Sequence, residues 1–165
     1  MKNLLWSSRT RFVVGVCLAS VLAVLVSENR ASAQQGAYIT QASAQLTKLI
    51  DTGNKAGYAL HDNTFSIGGG WLKQSATNWV PLFTVQLTGG KSYRFLAAGD
   101  NDARDVDLEV LDANNKVVAQ DSATDPTATV DFTPNATGRY LVRVRLYNSD
   151  NNLPCVCLAI VMSKK

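Results

Sequence analysis

From Ala37 to about Asp51 the apolar residues Ile39, Ala42, Leu46, Leu49 and Ile50 recur at three- and four-residue spacing, which predicts a helix with one apolar side. Asp51-Thr52-Gly53-Asn54 supplies the stop, because glycine tolerates the left-handed conformation that ends helices. Such a helix either caps an open end of a sheet or stands as an arm before the domain. After Gly57 the pattern changes to short strands parted by turn residues. The predicted strands are Tyr58 to Leu60, Thr64 to Ile67, Trp79 to Leu87, Ser92 to Ala98, Val106 to Leu111, Lys116 to Gln120, Thr127 to Phe132, Arg139 to Tyr147 and Cys155 to Met162. Thr88-Gly89-Gly90-Lys91 and Asp112-Ala113-Asn114-Asn115 read as hairpin turns, so adjacent strands are expected to pair locally. The spacing is that of an all-β antiparallel sandwich, with about 8 strands and one N-terminal helix.

Alternation assigns the faces. Tyr140, Val142, Val144 and Leu146 share one side of their strand, with Arg139, Arg143 and Arg145 opposite; Val106, Leu108 and Val110 oppose Asp105, Asp107 and Glu109. If these two strands are neighbours, arginines and carboxylates face each other as exposed pairs worth at most ~1 kcal/mol each. No α/β alternation supports a nucleotide-binding sheet, and Gly68-Gly69-Gly70 lacks the lysine and helix of a phosphate loop.

Residues 1–33 read as a secretory signal: Lys2, Arg9 and Arg11, an apolar run from Phe12 to Val26, and Ala31-Ser32-Ala33 as the cleavage site before Gln34. The run is shorter than the ~20 residues that span a bilayer, so membrane association is expected only through this segment while uncleaved. Val16 before Cys17 argues against lipidation. The domain reading is then signal peptide 1–33, helix and linker 34–56, and sandwich 57–165. Export changes the charge picture. The chain is formally +3, but the signal holds four of the sixteen basic residues and one of the thirteen acidic, leaving twelve of each sign. A neutral chain lacks the basic footprint of a nucleic-acid binder. A secreted or periplasmic location follows.

The residues Gly90-Lys91-Ser92-Tyr93-Arg94-Phe95, Asp105-Val106-Asp107-Leu108-Glu109-Val110, Phe132-Thr133-Pro134 and Thr137-Gly138-Arg139-Tyr140-Leu141-Val142-Arg143-Val144 occur in that order. In them the stretch from about Leu82 to the C-terminus resembles the bacterial pre-peptidase C-terminal domain, a small secreted β-sandwich. The resemblance implies a jelly-roll-like fold and an accessory, non-catalytic role. No peptidase domain precedes the stretch, so the implied role is that of a free-standing version.

Chemistry is sought in four places. Asp100, Asp102, Asp105, Asp107, Glu109 and Asp112 fall close together; hard oxygen ligands suit calcium, and Asp100, Asp102, Asp105 and Asp107 are its candidate ligands, against the alternative of a solvated loop. The run is not an EF-hand, since Arg104 takes the fifth position and Leu111 the place of the closing Glu. Trp71 and Trp79 flank a polar stretch and are candidate glycan- or partner-binding indoles, unless they fill the core. Cys155 and Cys157 lie two apart on a strand, which puts both thiols on one face; buried free thiols are expected, with an oxidised link left open. His61, the only histidine, has no nucleophile motif beside it, so no enzyme is expected. No cofactor other than calcium is implied. The expected function is binding or structural support at or beyond the cell envelope, toward an unidentified extracellular or envelope protein or glycan; a secreted hydrolase, an enzyme inhibitor and a carbohydrate-binding module are the alternatives.

Overall fold

The structure is a computed structural model and describes residues 36–60 and 66–165. The signal segment, the expected start at Gln34, His61 and the Thr64-Phe65 part of the second expected strand lie outside the described residues. One helix, α1, covers 36–55. The strands are β1 (Tyr58–Leu60), β2 (Ile67–Leu72), β3 (Val80–Leu87), β4 (Tyr93–Gly99), β5 (Ala103–Leu111), β6 (Val117–Asp121), β7 (Thr127–Phe132), β8 (Gly138–Ser149) and β9 (Cys155–Lys164).

They form two antiparallel sheets, one ordered β1-β9-β4-β7 with β2 also pairing β9, the other β3-β8-β5-β6. This interleaved order is that of a jelly roll, the fold expected for the chain. Among the described strands, however, local pairing holds only at the turn after β5. There Asp112 Oδ1 accepts the backbone N–H groups of Asn114 and Lys116 at 2.8 and 3.0 Å, and β5 pairs β6. The turn Thr88 to Lys91 instead carries the chain from one sheet to the other: β3 pairs β8, and β4 pairs β7 and β9. Turn chemistry fixes where the chain reverses, but not which sheet receives the next strand.

The inward side chains of both sheets, among them Phe95, Leu108, Val142, Val144, Cys157 and Val161, make one dry interior. A second apolar cluster lies outside it. Leu46, Leu49 and Ile50 of α1 pack on Tyr58, Leu96, Ala98, Ile160 and Met162. The helix is therefore neither an end cap nor a free arm but a third layer on the outer face of the β9-β4 sheet. It also runs past the expected stop: Gly53 lies inside it, where an added Cβ would stand 2.7 Å from the Met162 sulfur. The turn comes at Gly57, whose φ of 82° is the left-handed value that ends helices, with its N–H bonded to the Asn54 carbonyl at 3.0 Å.

The triple glycine belongs to β2, where the sequence pattern gave no strand. A Cβ on Gly69 would run into the Cys157 carbonyl oxygen, and one on Gly68 would stand 2.8 Å from Leu82 Cβ. Close backbone approach to β9 and β3 is the reason for glycine here. Cys155 and Cys157 are free, buried thiols on the core side of β9. No helix among the described residues is long and apolar enough to cross a membrane.

Candidate functional site: a polar recess on the outer face of β5 and β8

Strands β5 and β8 are central in their sheet, and their register sets Asp107 opposite Arg145 and Glu109 opposite Arg143. The opposition of charges is the one alternation implied; the exposure is not. Asp107 is only 2% exposed and Glu109 8%, so these are largely buried ion pairs. Arg145 donates from Nε to Asp107 Oδ2 at 2.8 Å, with Nη2 at 2.7 Å from the same oxygen, and Arg143 donates from Nε to Glu109 Oε2 at 2.7 Å. The cover comes from the segment before β3. Trp79 lies over both guanidinium groups, its ring centroid 4.5 Å from Arg145 Cζ and 5.2 Å from Arg143 Cζ. Ser75 shapes that segment: its Oγ accepts the N–H groups of Thr77 and Asn78, and its own N–H donates to the Leu146 carbonyl.

At Asp105 the β5-β8 register shifts, once on each side of the residue. The Val106 N–H leaves the ladder and donates to the Asp125 carbonyl at 2.8 Å. Tyr147, 44% exposed, lies two residues along β8 from Arg145 and so shares its outer face by strand alternation, with its ring centroid 4.8 Å from Arg145 Cζ. Arg145 is thereby held between two rings, bonded to Asp107, and donating from Nη1 to the Ala76 carbonyl.

Beside this clamp is an open recess of ≈ 290 Å³ lined by Asp105, Asp107, Ser122, Thr124, Arg145 and Tyr147. Asp105 is the anomaly in its lining. The residue is 5% exposed, and its Oδ1 is sealed from water with no hydrogen-bond partner among the described residues. Burial raises its carboxyl pKa above the usual range, and the Asp107 charge raises it further, against the lowering effect of Arg145. Native interiors seldom leave a polar atom in this state, and each such case asks for a reason.

The other sequence candidates go elsewhere. Asp100 caps the end of the β4-β9 ladder: its N–H donates to the Val156 carbonyl at 2.9 Å, while Oδ2 accepts the Val156 N–H at 2.7 Å and Oδ1 the Asp102 N–H at 3.0 Å. Asp102 sits in the following turn, where its carbonyl accepts the Asp150 N–H. The four aspartates proposed for calcium are thus divided between a structural turn and the recess, and no three His, Cys, Asp or Glu side chains among the described residues gather where they could hold a metal ion. The two indoles also part. Trp71 is on β2, 49% exposed, edge-on to Tyr38 of α1 at 5.3 Å. Trp79 covers the opposite sheet, so the two do not form one platform, and neither belongs to the dry interior. Tyr147 falls on the outer face by the same alternation that places Arg143 and Arg145, whereas Ser122 and Thr124 lie in the loop after β6 and leave no mark in a strand pattern.

No family model matches the chain, and no curated protein does. Among solved structures it is similar to a periplasmic inhibitor of g-type lysozyme from Aeromonas hydrophila, with 12% identity over 61% of this chain and 83% of that one and a TM-score of 0.38. It is also similar to a carbohydrate-binding module in complex with calcium and xylotriose, at 11% identity over 60% of this chain and 92% of that one and a TM-score of 0.35. An acetyl xylan esterase from Butyrivibrio proteoclasticus gives 18% identity over 65% of this chain and 31% of that one, at a TM-score of 0.34. None of these assigns a ligand to this chain.

Proposed function

We propose that the protein is a non-catalytic binding module that works outside the cytoplasm, and that its ligand, an extracellular or envelope protein or a glycan, seats in the recess between Asp105 and Tyr147. The observation that carries this reading is Asp105, a carboxylate kept buried and under-bonded at a cost to stability, in the wall of an open recess. The clamp around Arg145 supports it, since locked side chains preorganise a surface and reduce the entropy lost on binding. The signal-like N-terminal sequence and the likeness to the pre-peptidase C-terminal domain point the same way. Catalysis would need a second group poised beside Asp105. Asp107, the carboxylate that lines the recess with it, is already engaged by Arg145, which also donates to the Ala76 carbonyl.

The test compares the protein with Tyr147→Ala in capture from culture medium and envelope extract and on a glycan array, beside turnover assays on ester, peptide and glycan substrates. Tyr147 is exposed, so the variant should melt as the parent does while its bound partner is lost. A partner retained equally by Tyr147→Ala, or turnover that Asp105→Asn abolishes, overturns the reading.

A further inference from the structure

We infer that the recess takes a cationic side chain of a protein partner, a lysine ammonium or an arginine guanidinium, with Asp105 as its counter-charge. The inference rests on the recess being the binding site. Its ground is an imbalance of charge and of donors. Four carboxylates meet at this spot: Asp107 on the same strand, Asp121 at the end of β6, Asp125 in the loop beyond it, and Asp105 itself; among the described residues Arg145 on β8 is the cation that acts most strongly on Asp105 with them. Arg145 directs its bonds to Asp107 and the Ala76 carbonyl. Asp121 has its own donors, the N–H groups of Ala123 and Thr129 at 2.9 and 2.7 Å. Asp105 therefore shares its cation with Asp107 and has no donor at Oδ1 among the described residues.

A charged tip on a long apolar stem fits this site better than the other ligand classes. Asp105 lies in the wall at 5% exposure with Oδ1 itself closed to water, so a cation in the recess acts on it as a neighbouring charge and bonds Oδ1 only where the wall gives way. A neutral sugar would bring hydroxyl donors but leave the carboxylate's charge uncompensated. A calcium ion needs 6 to 8 oxygens, which the lining does not assemble. The exposed ring of Tyr147 completes the match, because an aromatic face attracts a cation passing over it.

The experiment is an amide-resolved NMR titration of the full mature protein with three probes at constant ionic strength: N-acetyl-lysine methylamide, cellotriose and calcium chloride. The lysine probe is expected to shift the amides of Asp105, Ser122, Thr124 and Tyr147. Asp105→Asn should weaken it about tenfold or more, the worth of a hydrogen bond between charged groups. Affinity should also fall on acidification, as Asp105 takes up a proton and loses its charge. Silence of the lysine probe overturns the inference, as does equal binding to Asp105→Asn. If cellotriose alone moves these amides, the inference falls and the recess stands as the binding site; if calcium moves them in place of lysine, the counter-charge serves a metal ion instead. Failure of the recess itself is read separately, from the partner's indifference to Tyr147→Ala.

Discussion

Asp105→Asn should make the protein more stable at neutral pH. The carboxylate is 5% exposed, one oxygen has no donor, and its pKa is raised by burial first and by Asp107 second. A carboxyl whose pKa is raised by folding binds its proton more tightly in the folded state. Its ionised form therefore opposes folding at any pH above the folded pKa, the opposition fades as pH falls through that value, and it is gone below the ordinary ~3.9 of an unfolded aspartate. An unsatisfied buried polar group costs about 1 to 3 kcal/mol, and a neutral amide avoids the part that comes from charge. We expect a gain of about 1 kcal/mol at pH 7, which is about 3 to 5 °C in melting temperature for a domain of this size. The assay is urea unfolding of both proteins between pH 3 and pH 8, with the difference in stability plotted against pH. The difference should be largest near neutrality and shrink toward zero in acid. An Asn variant less stable than the parent at pH 7, or a difference that does not change with pH, refutes the reasoning. Asp131, Asp150 and Asp112 shift the other way, held below the usual range by Arg94, Arg104 and the turn N–H groups. They contribute stability above the unfolded value that is lost as pH falls, so the parent's own acid limb masks the Asp105 effect unless the two proteins are compared.

Three further outcomes follow from the same structure. Asp100→Ala removes the acceptor of two backbone N–H groups, one of them at a fully buried position, and should cost about 3 kcal/mol in urea unfolding; a loss below about 1 kcal/mol would mean that water replaces the carboxylate. Leu46→Ala opens the cluster between α1 and the sheet and should cost about 2 to 4 kcal/mol with a single unfolding transition; an unchanged melt would show that α1 is not part of the cooperative unit. Burial pushes the Cys157 thiol up to about 12 and raises Cys155 as well, so neither should react with iodoacetamide at pH 8 until the chain is unfolded, as read by mass spectrometry.

Period-two alternation in Val106 to Leu111 and Arg139 to Tyr147 was enough to place one side of each strand in a dry interior and to gather the carboxylates and the arginines on the outward sides, because side chains on a strand must alternate between faces whatever the topology. The third layer also left a trace, in hindsight: Phe95-Leu96-Ala97-Ala98 and Val156 to Met162 are apolar without alternation, the mark of strands covered on both sides. Strand neighbours, the crossing at Thr88 to Lys91 and the glycine strand β2 were decided only by packing, since local turn chemistry is the same within a sheet and between two. The recess depends on tertiary structure most of all. Its lining joins Asp105 and Asp107 of β5 to Arg145 and Tyr147 of β8 and to Ser122 and Thr124 of the loop after β6, and Arg145 is fixed by Ala76 and Trp79 some seventy residues before it, so the site is assembled from segments that the sequence around Asp105 does not contain.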